Sequence, residues 1–248
     1  MSGHNRWSKI KRQKEAMGAS KGRLFTKLIK EVTVAARLGG GDSNANARLR
    51  AAVTAARDAN MPSDTIARAI KKGTGELEGV NYEEIQYEGY GPGGVAMIVE
   101  CLSDNRNRTA GDLRAILSKG GGNLATEGAV SWMFARKGVI TVKPGPTEDQ
   151  VVDQALEAGA DDVINHGPEG FEIRTDPASV HSIAADLEKK GVPVTGQRWN
   201  FFPQNTVKLE SDPARKMLKL MEMLEDNDDV QNVYANFEID EAIFQEMS

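Results

Sequence analysis

The sequence has few of the residues that build disulfides, metal sites or membrane spans. It has one cysteine, Cys101, and three histidines, His4, His166 and His181, which lie far apart. An intramolecular disulfide is therefore excluded, and no spacing of metal ligands is present. No apolar run approaches the ~18 residues of a transmembrane helix, and the first residues lack the apolar core of a secretory signal. We therefore expect a cytoplasmic protein without membrane contact, metal or other cofactor.

Signals of catalysis are also scarce. The glycine-rich stretch 89–94 lies between two predicted strands and lacks the Lys-Ser/Thr ending of a phosphate-binding P-loop, so we interpret it as a sharp turn. The acidic run 225–229 lacks the spacing of a calcium loop and is interpreted as a solvated turn. We assign no catalytic residue and predict that the protein is not an enzyme.

Charge is distributed unevenly along the chain, whose formal net charge is -5 at pH 7. Residues 1–75 hold 16 Lys or Arg against 5 acids, a net charge of +11. Residues 76–248 hold 15 against 31, a net charge of -16. Such asymmetry is typical of a basic segment that faces a polyanion, joined to an acidic body that contacts protein partners or keeps its own surface off the polyanion. Solvated helix faces that happen to be basic are the alternative.

The first 76 residues predict a helical domain preceded by a basic tail. Apolar residues from Leu24 to Ala36 recur at helical spacing, and the glycines at 39–41 end this first helix. A second helix is predicted from about Asn44. A third follows the turn at 61–63, with Ser63 as its N-cap.

Strands alternate with helices from residue 77 onward. Segment 137–204 has the order β-α-β-β-α-β of a ferredoxin-like fold. Segment 77–136 includes a predicted strand at 129–134 and a helix capped by Asn107 or Thr109, and we expect it to join 205–248 in a second such unit. The predicted fold class is therefore multidomain, α and α+β. An N-terminal three-helix domain (1–76) precedes two α+β, ferredoxin-like domains, the last (137–204) inserted into the middle one (77–136 plus 205–248).

Candidate nucleic-acid contacts lie in the tail and on two predicted helices. Cations three, four or seven residues apart share a helix face, where they suit phosphates, and a tryptophan in the tail can stack on a base. A basic amphipathic helix can also lie on an anionic membrane, but charge spread over a tail and three helices favours nucleic acid. The candidates are Arg6, Trp7, Lys9, Lys11, Arg12, Lys14, Lys21, Arg23, Lys27, Lys30, Arg68, Lys71 and Lys72.

A second candidate is the stretch 104–109, with the sequence DNRNRT, which joins a predicted strand to a helix N-terminus. Free backbone N–H groups at such a terminus, together with Arg106 and Arg108, favour an anion. Helix capping combined with surface charge is the alternative, and both stay open at this point.

Several motifs resemble those of the YebC family. Asn5-Arg6 and Trp132 stand where we expect Ser-Lys and Tyr in that family, so the basic and aromatic characters are kept. The resemblance implies three domains, one helical and two α+β, and supplies no catalytic residue. The motifs are Gly3-His4, Trp7, Ile10-Lys11, Lys21-Gly22, Phe25-Thr26-Lys27-Leu28, 87–96 (YEGYGPGGVA), 104–109 (DNRNRT), 121–124 (GGNL) and 131–134 (SWMF).

The resemblance implies two different functions. Bacterial members of the family are described as DNA-binding transcriptional regulators. A mitochondrial relative is a translational activator for a cytochrome oxidase subunit, and some bacterial members act at the ribosome on stalled translation. Our first hypothesis is a non-enzymatic, DNA-binding transcriptional regulator that contacts phosphates through its basic N-terminal domain. The alternative is a ribosome- or RNA-associated translation factor that binds rRNA or mRNA through the same surface.

Overall fold

The computed structural model describes residues 21–240, which contain seven α-helices and ten β-strands. The mixed α and β architecture predicted from the sequence is confirmed. Within the described range no helix has both the length and the apolar character needed to cross a bilayer. The helices are α1 Lys21–Gly39, α2 Ala47–Asp58, α3 Ser63–Thr74, α4 Arg106–Lys119, α5 Glu148–Glu157, α6 Val180–Lys189 and α7 Ser211–Glu225. The strands are β1 Glu83–Gly91, β2 Val95–Ser103, β3 Asn123–Leu124, β4 Phe134–Val142, β5 Asp162–Asn165, β6 Phe171–Thr175, β7 Val194–Pro203, β8 Val207–Leu209, β9 Val230–Ala235 and β10 Phe237–Ile239.

Helices α1 to α3 pack around a small apolar core. The apolar stripe of α1 is buried at Val32 and Ala36, and it meets Leu49 of α2. Gly73 of α3 lies where that helix approaches α1, and a Cβ at this position would collide with the carbonyl oxygen of Thr33. The absence of a side chain at Gly73 is therefore what allows the two helices to pack so closely.

The starts of α2 and α3 differ from the prediction. Helix α2 begins after Asn46, not near Asn44, because the Asn46 side chain accepts a hydrogen bond from the Leu49 backbone N–H at 3.0 Å. Ser63 is the first residue of α3 rather than its cap. Pro62 occupies the cap position and contributes no side-chain hydrogen bond.

The first sheet joins two distant parts of the chain. Its strand order is β3-β1-β2-β9, and all neighbouring strands are antiparallel. β9 pairs with β2 and sets Tyr234 opposite Ile98. α4 and α7 pack on one face of this sheet, burying Leu113 and Met217 against Met97. β8 and β10 form a separate two-stranded parallel sheet.

The second four-stranded sheet has the order β5-β6-β4-β7, again with antiparallel neighbours. α5 and α6 pack on it around a core that includes Ile140, Ile173 and Leu187. β4 and β7 pair from Phe134, opposite Pro203, along the whole length of β4. The domain boundary predicted between residues 136 and 137 therefore falls inside a continuous strand.

The predicted strand at 129–134 is wrong. This segment is a turn followed by a single 3₁₀ turn, and β4 begins only at Phe134. The Glu88 carboxylate accepts hydrogen bonds from the backbone N–H groups of Gly128, Val130 and Ser131 at 2.7–3.0 Å. These N–H groups are therefore used by a side chain instead of a strand ladder.

The cap predicted for α4 is also wrong. Asn105 caps this helix by accepting a hydrogen bond from the Arg108 backbone N–H at 3.0 Å. Asn107 and Thr109 both lie within the helix, and Thr109 is fully buried. Its hydroxyl donates a hydrogen bond to the Asp229 carboxylate at 2.7 Å.

Candidate nucleic-acid interface

The thirteen candidate contacts fall into three groups. The tail residues Arg6, Trp7, Lys9, Lys11, Arg12 and Lys14 lie outside the described residues, and their role stays a prediction. The structure places Lys21, Arg23, Lys27 and Lys30 on α1, and Arg68, Lys71 and Lys72 on α3. The two helices present their cations to different environments.

Three cations of α1, Arg23, Lys27 and Lys30, contact the acidic turn formed by residues 225–229 at the end of α7. Arg23 forms an ion pair with Asp226, with 3.0 Å between Nη2 and Oδ1. The Lys27 ammonium donates a hydrogen bond to the backbone carbonyl of Glu225. This turn therefore binds the helix that the sequence assigned to nucleic acid.

Lys30 is buried and cannot contact a phosphate in this conformation. Only 8% of its side chain is exposed, and Nζ lies 2.5 Å from Oδ1 of Asp229. Nζ also donates to the backbone carbonyls of Leu102 and Asp228. The prediction for Lys30 is therefore wrong, because a buried carboxylate and two carbonyls use its three donors.

Asp229 is the centre of a buried polar cluster, so the interpretation of 225–229 as a solvated turn is wrong for this residue. In addition to Lys30, its carboxylate accepts hydrogen bonds from Arg108 Nη2 at 2.8 Å and from the Thr109 hydroxyl at 2.7 Å. Burial would raise the pKa of Asp229, but the hydrogen bonds from Arg108, Lys30 and Thr109 outweigh it and lower the pKa to about 2. The carboxylate is therefore ionised throughout the physiological pH range.

Two residues of the stretch 104–109, Arg108 and Thr109, belong to this cluster because they donate hydrogen bonds to Asp229. Arg108 pairs with Asp104 at 2.7 Å as well as with Asp229, so internal carboxylates already contact its guanidinium. This geometry matches helix capping combined with surface charge. Arg106 is exposed, and an anion contact by this residue stays a prediction.

The cations of α3 form an exposed group, which we call the α3 basic surface: Arg68, Lys71 and Lys72. All three are exposed, and among residues 21–240 none of them makes an ion pair. Arg57, at the end of α2, is likewise exposed and unpaired within that range, although it was not in the candidate set. Lys21 is exposed, with its ammonium 5.7 Å from the centre of the Phe25 ring.

Residues 21–240 contain no cluster of three His, Cys, Asp or Glu side chains that could hold a metal ion. The single cysteine, Cys101, is only 2% exposed on β2. Burial first, and then the nearby charge of Asp229, raise the pKa of the Cys101 thiol to about 12.

We expect Cys101 to be unreactive in the folded protein. At pH 8 a thiol with its pKa near 12 is almost entirely protonated, and only the thiolate is nucleophilic. Native protein mixed with Ellman's reagent should release less than about a tenth of the chromophore that the same protein releases in 6 M guanidinium chloride. Rapid, complete reaction of the native protein would contradict this assignment.

Comparison with known proteins agrees with the resemblance read from the sequence. The model of the TACO1/YebC protein N-terminal domain matches residues 5–76, and that of the TACO1/YebC second and third domain matches residues 82–237. A "Probable transcriptional regulatory protein" of Myxococcus xanthus is 64% identical over 247 residues, covering 100% of this chain and 99% of its own. A protein of the same description from Geobacter sulfurreducens is 57% identical over 239 residues, 96% of each chain.

A solved structure extends the comparison to the fold. The crystal structure of a conserved hypothetical protein from Aquifex aeolicus superposes with a TM-score of 0.80 at 47% sequence identity. The match covers 90% of this chain and 93% of that one. By sequence over nearly its whole length, and by fold, the chain belongs to the TACO1/YebC family.

Proposed function

We propose that the protein is a DNA-binding transcriptional regulator that contacts phosphates through its basic N-terminal domain and performs no catalysis. The names of the relatives from Myxococcus xanthus and Geobacter sulfurreducens support regulation of transcription. The net charge of +11 on residues 1–75 supports a polyanionic partner. The observation that carries the proposal is the α3 basic surface, whose three cations are exposed and unpaired among residues 21–240.

The proposal assigns the phosphate contacts to α3 and the tail more than to α1. Arg23 and Lys27 already contact the acidic turn, so a phosphate would have to compete with Asp226 and with a backbone carbonyl. The α3 cations face no such competitor in the described residues. A cytoplasmic location, and protein partners bound through the acidic remainder of the chain, belong to the same proposal.

We also propose three domains: 1–76, 77–136 with 205–248, and 137–204. Two features support an inserted third domain of ferredoxin-like type. The strand order β5-β6-β4-β7 is the antiparallel order of a split β-α-β unit, and β9 returns to pair with β2. The start of β4 at Phe134 favours an insertion that begins a few residues earlier than the sequence pattern suggested.

The second candidate is an RNA- or ribosome-associated translation factor that uses the same cations. Phosphate contacts alone do not distinguish DNA from RNA. Two exposed tryptophans favour this alternative, because single-stranded RNA is read largely by stacking on aromatic side chains. Trp132 is 66% exposed and Trp199 is 47% exposed.

The triple variant Arg68→Ala/Lys71→Ala/Lys72→Ala should bind nucleic acid at least about tenfold more weakly at low salt. The slope of log Kd against log salt concentration should fall by roughly one for each lost phosphate contact. Fluorescence anisotropy with labelled duplex DNA and with structured RNA, at several salt concentrations, measures both quantities.

The matched control is Arg114→Ala/Lys119→Ala/Lys189→Ala, which removes the same charge from exposed positions on α4 and α6. If the two triple variants lost affinity equally, the effect would be one of net charge and the α3 assignment would fail. Crosslinking in growing cells, with sequencing of the bound DNA and RNA, then separates the two candidates. Discrete promoter peaks support the regulator, whereas dominant rRNA recovery supports the translation factor.

A further inference from the structure

A large cleft lies where α1 and α2 meet the two four-stranded sheets. Its walls come from α1, α2, α6 and α7, from β1, β2 and β9 of the first sheet, and from β4 and β7 of the second, and they carry both arginines and carboxylates. Its volume is about 920 Å³. Small-molecule sites commonly occupy about 300–1,000 Å³ and occur at such junctions.

Two buried amide atoms of the cleft lining have no hydrogen-bond partner among residues 21–240. They are Oε1 of Gln197, on β7, and Nε2 of Gln231, on β9. Buried polar atoms are nearly always paired in folded proteins, so two unpaired ones in one cleft indicate a missing partner. An amide oxygen accepts and an amide nitrogen donates, which suits a planar ligand edge that carries both kinds of group.

The cleft also contains a stacked arginine and tryptophan. The Arg136 guanidinium lies 4.1 Å from the centre of the Trp199 ring. Gly138 is opposite Trp199 in the β4–β7 ladder, so Arg136, two residues away along β4, shares its face of the sheet. Trp199 lines the cleft, and 47% of this residue is exposed to solvent. Such an exposed indole offers a stacking surface to a planar ligand.

Arg136, like Arg198 on the same cleft wall, makes no ion pair in residues 21–240, although its charge favours the ionised form of the Glu100 carboxylate, which also lines the cleft. Arg23 pairs with Asp226, and Arg48 pairs with two glutamates at 2.7 Å. Stacking on Trp199 restrains the Arg136 guanidinium, whose N–H edge makes no ion pair in residues 21–240. A phosphate is a good partner for such a preorganised N–H edge.

We propose that this cleft binds a nucleotide unit. The base stacks on the exposed ring surface of Trp199, its edge meets Gln197 and Gln231, and its phosphate lies on Arg136. The unit comes either from a free mononucleotide or from one residue of a single strand. This binding is separate from the α3 basic surface and does not depend on the function proposed above.

Calorimetric titration of the full chain tests the proposal, using the four ribonucleoside monophosphates, the corresponding nucleosides, and DNA and RNA hexanucleotides. We expect Trp199→Ala and Arg136→Ala each to weaken binding at least about tenfold. The loss in Arg136→Ala should largely disappear for the nucleosides, because they lack the phosphate. Ala55→Trp, at an exposed α2 position on the cleft wall, should block binding without removing any recognition group.

Two controls accompany the titration. Trp132→Ala removes an exposed tryptophan outside the cleft, and the α3 triple variant removes the other nucleic-acid surface; both should bind mononucleotides like the wild type. Thermal unfolding followed by circular dichroism verifies that each variant is folded. If Trp199→Ala does not fold, Ala55→Trp provides the test in its place. Loss of mononucleotide binding in the cleft variants supports a free ligand, and Trp199-dependent binding of the hexanucleotides alone supports a strand. No binding of either, or binding unchanged in all the cleft variants, would overturn the proposal.

Discussion

Replacing Asp229 by alanine should lower the free energy of unfolding by about 3–5 kcal/mol, the usual effect of removing one partner from a buried ion pair. The loss is large because Lys30, with 8% of its side chain exposed, would be left without a counter-charge. Arg108 and the buried Thr109 hydroxyl would lose an acceptor at the same time. The variant should also loosen the contact between α1 and the first sheet, since Lys30 is on α1 and Asp229 directly precedes β9.

Urea unfolding followed by circular dichroism measures this loss, and Asp228→Ala is the matched control. Asp228 is the preceding residue and also an aspartate, but its side chain is exposed and only its backbone carbonyl contacts Lys30. Its replacement should change the free energy of unfolding by less than about 0.5 kcal/mol. Equal effects at both positions would show that the turn is weakened generally and that the buried carboxylate has no special role.

The dependence of this difference on pH provides a second readout. The pKa of Asp229 is lowered from an ordinary value of 3.8 to about 2 in the folded protein, so the folded state favours the ionised form. The stabilisation is therefore fully present above about pH 4 and is lost as the pH falls through 2. The gap between wild type and Asp229→Ala should narrow over this window. A gap that widened on acidification would contradict the ion-pair explanation.

Replacing Glu88 by alanine should lower the free energy of unfolding by about 2–4 kcal/mol, because a buried donor without an acceptor costs about 1–3 kcal/mol. Glu88 is 4% exposed, and its carboxylate accepts from the backbone N–H groups of Gly128, Val130 and Ser131. Burial acts to raise the pKa of Glu88, but these backbone hydrogen bonds outweigh it and lower the pKa below its ordinary value. Several backbone donors around 128–131 would lose their partner at once.

Glu83→Ala is the control for this change, since Glu83 is an exposed glutamate on the same strand. A local readout comes from Trp132, whose indole N–H donates to the Ala129 carbonyl at 3.0 Å within the segment that Glu88 holds. In a background without the other two tryptophans, its fluorescence should change in Glu88→Ala and stay constant in Glu83→Ala. If Trp132 reported no change while stability fell, the role of Glu88 in positioning this segment would be refuted.

The elements that were predicted correctly depend on local pattern. The apolar stripe from Leu24 to Ala36 specifies an amphipathic helix whatever lies beside it, and α1 forms there. The predicted strand at 129–134 failed because Glu88, about 40 residues away, takes the N–H groups that a strand would need. Nothing in the local sequence of that segment signals such a distant acceptor.

The acidic run 225–229 is a second case in which local sequence did not predict the environment of a residue. Asp228 and Asp229 are chemically identical neighbours, so local polarity predicts the same solvated environment for both. One is exposed and the other buried, because Asp229 meets Lys30, which is 199 residues away in sequence. The spacing of cations on α1 was therefore a real signal of an anionic partner, but part of that partner is in the same chain.

By itself the sequence determined the order of helical and α+β segments, the concentration of positive charge in the first 75 residues and the family resemblance, since all three depend on composition and short-range pattern. Only the tertiary structure decided which cations are exposed. It buried Lys30 against Asp229, paired Arg23 with Asp226 and left the α3 basic surface without partners among residues 21–240. The physical reason is that burial and ion pairing depend on contacts between residues far apart in the chain, which local periodicity does not encode.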